Sequence, residues 1–120
     1  MKPWSALAQV VYKRTYARKI TDGGVERLET YPETVDRYIK GNTDGFLVPE
    51  EEKERLRYFG LQRKAGPAGR GLWFSGTDAH KRLGGVAANN CYFETSADWR
   101  NFVIAQDLLM LGGGVGMSVE

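Results

Sequence analysis

Asn90-Cys91-Tyr92-Phe93-Glu94-Thr95, then Trp99 to Met110, then Gly112-Gly113-Gly114-Val115-Gly116 is the stretch that decides the fold class. Tyr92, Phe93 and Thr95 are strand formers, and the segment Asn90 to Thr95 reads as a strand. Thr95 or Ser96 is placed to cap a following helix, with Asp98 completing a capping box. Trp99, Phe102, Val103, Gln106, Leu109 and Met110 recur at helical spacing, so the Trp99/Phe102 stripe reads as core packing. The glycine run from Gly112 to Gly116 ends that helix as a loop, and Met117 begins a second strand pattern. Strand, helix, glycine loop, strand is the order of a βαβ unit. Such a unit asks for neighbouring strands. The chain stops inside a strand pattern, so the expectation is an interrupted larger α/β fold with open edges that invite aggregation.

Upstream, Leu83-Gly84-Gly85-Val86 reads as irregular, as does the Gly-rich segment Ala65 to Thr77. The latter has neither a dinucleotide fingerprint after a strand nor a phosphate loop ending in Gly-Lys-Ser/Thr. Two helices precede it. Pro49 opens one, with Glu50, Glu51 and Glu52 at the positive end of its dipole. Leu56 and Phe59 supply its inward face, and Arg63 and Lys64 close it. The earlier helix is capped by Thr30 with Pro32 in its first turn; Val35, Tyr38 and Ile39 share one stripe, and Gly41-Asn42 stops it. Residues Gln9 to Ala17 are rich in β-branched and aromatic types and read as a strand, with Tyr12, Arg14 and Tyr16 on one face and Val11, Lys13 and Thr15 on the other. Thr21-Asp22-Gly23-Gly24 reads as a turn.

With 120 residues, the chain has room for one small core. It is 42% hydrophobic and 27% charged, which excludes a disordered chain. A net charge of +2 is too mild for a nucleic-acid or membrane footprint, although Lys13, Arg14, Arg18 and Lys19 cluster locally. No apolar run reaches membrane-spanning length, and Met1-Lys2-Pro3-Trp4 does not open a secretory signal. One cysteine rather than an even set points to the cytoplasm.

Cys91 has two readings: a buried small hydrophobe, as most free cysteines are, or a redox thiol lining a pocket. The second needs another thiol to resolve it, which must come from another segment or chain. The Gly112–Gly116 loop is either a helix C-cap or a place where backbone approaches a sugar or phosphate. Arg70 reads as a surface loop arginine or a phosphate clamp. His80 has no metal-ligand spacing around it and reads as a surface helix residue. No metal site is expected. Glu50 to Glu54 is a solvated helix start.

Three segments together resemble one family: Ala65 to Trp73 with Ser75-Gly76-Thr77, Leu83 to Tyr92, and Asn101 to Val119. They are similar to the start of the monomeric, adenosylcobalamin-dependent ribonucleoside-triphosphate reductases. Gln9 to Arg18 and Glu33 to Arg37 also resemble that family, so the likeness runs along nearly the whole chain, in order and without a large gap. The resemblance implies an amino-terminal helical region over residues 1–64, with residues 65–120 supplying the first strands of a ten-stranded α/β barrel. It implies replacement of the ribose 2′-hydroxyl by hydrogen through a thiyl radical. A cysteine pair supplies the reducing equivalents, and thioredoxin or a similar dithiol resets it.

By motif, Cys91 matches the amino-terminal member of that pair. Asn90 would border the substrate, Gly113 and Gly114 match the loop beside the nucleotide sugar, and Ser118 and Val119 would begin the next strand. Pro67 to Arg70 resembles a loop near the substrate mouth. The thiyl cysteine, its glutamate, the resolving cysteine and most adenosylcobalamin contacts belong to downstream parts of the family, so the piece is expected to be inactive without the rest of the polypeptide. Triphosphate rather than diphosphate substrates rest on the resemblance alone. The competing readings are a stand-alone nucleotide-binding or regulatory module without catalysis, and, on the basic cluster only, a nucleic-acid-binding domain.

Overall fold

The computed structural model describes residues 3–118, which form two compact units divided after Thr77. The described residues hold six α-helices and two two-stranded sheets, a mixed α/β fragment. No helix among them is long and apolar enough to cross a membrane.

The first unit opens on a helix, α1 (Ala6–Val11), continued by a π-helical turn over Tyr12–Tyr16. The expected strand over Gln9 to Ala17 is therefore corrected. Tyr12 and Tyr16 stand four residues apart, a spacing that fits two strand repeats and one helical turn equally well. Local bonds decide between them: Ser5 Oγ accepts from the Ala8 N–H at 3.2 Å, and the Ala17 N–H reaches back five residues to Tyr12 O at 3.0 Å. The Tyr12 hydroxyl meets Thr34 Oγ1 at 2.6 Å, which pins the turn to the core.

A hairpin follows, β1 (Lys19–Asp22) and β2 (Val25–Leu28), with Asp22 paired to Val25 across a two-residue loop. Gly23 and Gly24 take φ of +56° and +84°, the primed turn that matches strand twist. The expected turn is present, tightened to these two glycines.

Next comes α2 (Tyr31–Thr43), started as expected after Thr30 with Pro32 in its first turn. Glu33 accepts from the Thr30 N–H at 2.6 Å. Val35, Tyr38 and Ile39 form the core of the unit, backed by Tyr31, Leu61 and Leu72. Each such fully buried side chain contributes about 1.5–3 kcal/mol. Gly41 does not stop the helix, which continues to Thr43; it lies against the backbone of Ser75 and Gly76 instead. Helix α3 (Glu50–Leu61) begins after Pro49 as expected. Leu56 is exposed rather than inward, and the helix ends at Leu61 with Gln62 as its C-cap, before Arg63 and Lys64. The Gly-rich segment is not wholly irregular: Gly69–Phe74 is a short helix, α4.

A buried ion pair explains how so glycine-rich a turn holds. Arg37 donates from NH2 to Glu29 Oε1 at 2.7 Å and from Nε to Oε2 at 3.0 Å, and also from NH2 to the Leu72 carbonyl at 2.7 Å and from NH1 to the Ser75 carbonyl. The last carbonyls of α4 thus receive a cation where the helix dipole favours one. Glu29 is buried, and its carboxylate also accepts from the Arg18 N–H at 3.0 Å and the Thr34 hydroxyl at 2.7 Å. Burial by itself raises the Glu29 carboxyl, but Arg37, Thr34 and the Arg18 N–H outweigh it and hold the group below its ordinary value. At the hairpin, Arg27 joins Asp22 to Glu33; the Arg27 guanidinium, with the Thr30 N–H, draws the Glu33 carboxyl down to about 2.

The second unit contains α5 (Asp78–Leu83), a 3₁₀ turn (Gly85–Ala88), β3 (Cys91–Thr95), α6 (Trp99–Met110) and β4 (Gly114–Ser118). The expected βαβ unit is there, with β3 and β4 parallel. Three details differ. Asp98 itself caps α6, its side chain accepting from the Arg100 N–H. Strand β4 starts at Gly114, inside the glycine run, so the loop shortens to Leu111–Gly113. Trp99, Phe102, Val103, Leu109 and Met110 are exposed, and Ala105 is the buried residue of α6. The expected core stripe thus faces outward in this chain.

Candidate functional site

The parallel register pairs Cys91 with Gly114, Tyr92 with Val115, Phe93 with Gly116, and Glu94 with Met117. Alternation sends successive side chains to opposite faces. Tyr92, Glu94, Val115 and Met117 are half-buried on one face, where Asn101 of α6 donates to Glu94 Oε1 at 2.8 Å. Cys91, Phe93, Gly114 and Gly116 are exposed on the other. Cys91 is free and exposed, so the buried-hydrophobe reading does not describe it.

Asn90, Cys91 and Gly114 come together at the amino ends of the two strands. The Gly114 N–H donates to the Asn90 carbonyl at 2.7 Å, extending the ladder one step past the strands. Gly114 is open, since an added Cβ would find only the Asn90 oxygen, at 3.7 Å. Gly113 is different. It is buried, and an added Cβ would run into the Tyr92 ring, 2.6 Å from Cδ2, with the Leu108 carbonyl at 3.2 Å. A packing neighbour therefore already requires a glycine there.

Ser118 lies in β4 opposite Thr95, its hydroxyl buried without a hydrogen-bond partner among the described residues; Val119 lies outside the described residues. Pro67 precedes α4, whose second residue is Arg70, so Arg70 is helical rather than in a loop. His80 sits in the last turn of α5, on a helix as expected. Two features were missed by the sequence reading, a tyrosine ring and an ion pair. Tyr92 carried no motif of its own. The Glu29–Arg37 pair was signalled only by Arg37 closing the Glu33–Arg37 segment.

Residues 1–58 match the ribonucleotide reductase alpha domain family. The adenosylcobalamin-dependent ribonucleoside-triphosphate reductase of Lactobacillus leichmannii is 36% identical over 154 aligned positions, covering 99% of this chain, and that of Lactobacillus acidophilus is 39% identical with the same coverage. A crystal structure of a B12-dependent, class II ribonucleotide reductase superposes with a TM-score of 0.76 at 37% identity, covering 97% of this chain. The chain is homologous to the amino-terminal fifth of the adenosylcobalamin-dependent, class II ribonucleotide reductases.

It spans about 20% of the length of these reductases. The aligned length exceeds the chain, so the reductases carry residues with no counterpart here, and the match is not gap-free. The clefts seen in the first unit of this reductase homologue are too small to hold adenosylcobalamin. The first unit has clefts of about 220 to 320 Å³. Those volumes lie below or just above the floor of the ~300–1,000 Å³ range of ordinary ligand pockets, and a corrin with its nucleotide arms is a large ligand. Among the described residues, no three His, Cys, Asp or Glu side chains are grouped to hold a metal ion.

Proposed function

We propose that this chain is the amino-terminal part of a ribonucleoside-triphosphate reductase that makes 2′-deoxyribonucleotides for DNA synthesis. Residues 1–64 form its helical region, and residues 65–120 begin a ten-stranded α/β barrel. In this reading Cys91 is one thiol of the reducing pair, and Asn90, Gly113 and Gly114 border the nucleotide sugar. Gly113 contributes through its backbone, since its α-carbon is turned toward Tyr92.

The observation that carries the reading is the pairing of an exposed thiol with an open glycine. Cys91 and Gly114 are register partners on the uncovered face. A sugar lying against Gly114 meets no side chain there, and the thiol stands on the neighbouring strand. The chemistry balances as follows. Two thiols give up two electrons and two protons and become a disulfide. The ribose 2′-hydroxyl leaves as water, and its carbon gains hydrogen. Thioredoxin or a similar dithiol then reduces the disulfide by exchange. This chain holds one cysteine, so the second thiol comes from another segment and the isolated chain gives no turnover. Adenosylcobalamin belongs to other segments of the reductase. The setting is cytoplasmic, where such a thiol is kept reduced.

The test is Cys91→Ser in the intact reductase polypeptide, assayed for deoxynucleotide formation with adenosylcobalamin and dithiol. Multiple turnover should fall to background. Sustained turnover by the variant would show that another residue supplies the electrons.

A further inference from the structure

We infer that Tyr92 is a positioning residue for nucleotide binding, acting through the turn that carries Gly113 and Gly114. This rests on the reductase reading above. Tyr92 follows Cys91 directly but points to the opposite, helix-covered face. Its ring lies on the Gly113 α-carbon, close enough that a methyl group there would collide with it. Its hydroxyl donates to the Val86 carbonyl in the 3₁₀ turn. The ring is therefore fixed at both ends, by β3 through its own backbone and by the 3₁₀ turn through its oxygen.

Backbone bonds close the turn it presses on, the Gly112 N–H reaching Leu109 O at 2.9 Å among them, but they leave its packing against the sheet to side chains. Three consecutive glycines, Gly112 to Gly114, have no side chains to pack, and Gly112 takes φ of +84°. The Gly113 N–H reaches Leu108 O at 3.1 Å and the Gly114 N–H reaches Asn90 O at 2.7 Å. The Tyr92 ring supplies the bulk that the glycines lack. It sets the height of the turn above the sheet, and so the position of Gly114 beside Cys91.

A glycine turn held at the wrong height gives the sugar a poorer seat before any bond is made or broken, which weakens ground-state binding and so raises KM. Tyr92→Leu removes the ring, and Gly113→Ala forces the turn away from it. Each should raise KM for the nucleotide about tenfold, with kcat within about twofold, because the reacting thiol is untouched. Tyr92→Phe keeps the ring but loses the bond to the Val86 carbonyl, so its KM should fall between wild-type and Tyr92→Leu. In the double variant Tyr92→Leu/Gly113→Ala, the new methyl occupies space the ring left, so KM should recover toward wild-type. A merely structural role would depress kcat and stability without a KM split or a rescue.

The idea is overturned if Tyr92→Leu leaves KM unchanged, or if the two single effects multiply in the double variant. An intact polypeptide with no reductase activity would count against the reductase reading itself. In that event equilibrium nucleotide binding by the same proteins decides on Tyr92: an affinity unchanged in Tyr92→Leu overturns the idea, and an affinity lost there and regained in the double variant upholds it.

Discussion

Arg37→Ala should be among the most damaging single changes in the first unit. Glu29 keeps only 2% of its side chain exposed, and Arg37 14%. Removing the guanidinium deletes two bonds to the carboxylate and two to the carbonyls of Leu72 and Ser75. Leaving a buried charge without its partner costs about 3–5 kcal/mol. A unit of 77 residues has a total stability of about 4–12 kcal/mol at ordinary values per residue. The loss is thus about a quarter of the stability at the least, and all of it at the low end. The assay is urea unfolding followed by hydrogen exchange of amides in α2 and α4, which reports on the first unit alone; a whole-chain melt mixes two units. Glu29→Leu/Arg37→Leu removes both charges and should be more stable than Arg37→Ala, since no ion is stranded. Arg37→Lys should fall between, because a single ammonium cannot fork across a carboxylate and two carbonyls. The reasoning is refuted if Arg37→Ala lies within about 0.5 kcal/mol of wild-type, the range of ordinary surface changes.

Acid should weaken the first unit late. Glu29 and Glu33 are both held below the ordinary carboxylate value, so their contribution is complete above about pH 4.3 and is lost as pH falls through the lowered values, about 2 for Glu33. A urea midpoint that already drops between pH 7 and 5 would contradict this. Gly41→Ala places a Cβ into the backbone of Gly76, with the Ser75 carbonyl carbon at 3.0 Å, and should destabilise by about 1–3 kcal/mol even though alanine is the better helix former. A neutral or stabilised variant in a denaturant titration would mean the two backbones separate easily. Trp99→Ser and Phe102→Ser should each shift the stability of this chain by less than about 0.5 kcal/mol, because both side chains are exposed. A large loss in either melt would show that they pack after all.

Local signals were the legible ones. Thr30 and Pro32 marked the start of α2, and Gly23-Gly24 marked a turn, because caps and primed turns are written in adjacent residues. The βαβ order from Cys91 to Ser118 was readable for the same reason. Gln9 to Ala17 was not, since a four-residue spacing of tyrosines suits helix and strand alike. Helix α4 escaped because its stability comes from Arg37, more than thirty residues away. The stripe Trp99 to Met110 had the helical period, yet period alone does not say what lies opposite. Within the candidate site, the sequence marked Asn90, Cys91, Gly113 and Gly114 through motif likeness, while Tyr92 emerges only when its ring is seen on Gly113.

The register of β3 on β4 has a consequence for the thiol. Strand side chains alternate strictly, so sliding β3 by one residue would turn Cys91 under α6 and bring Tyr92 out to solvent. Glycine-rich strands are the kind in which such slips are easy, and β4 has Gly114 and Gly116 on its open face. The bond from the Gly114 N–H to the Asn90 carbonyl and the ring of Tyr92 on Gly113 both oppose the slip. Which way the sulfur points is therefore decided one residue to either side of it, by an asparagine carbonyl and a tyrosine ring that carry no redox chemistry of their own.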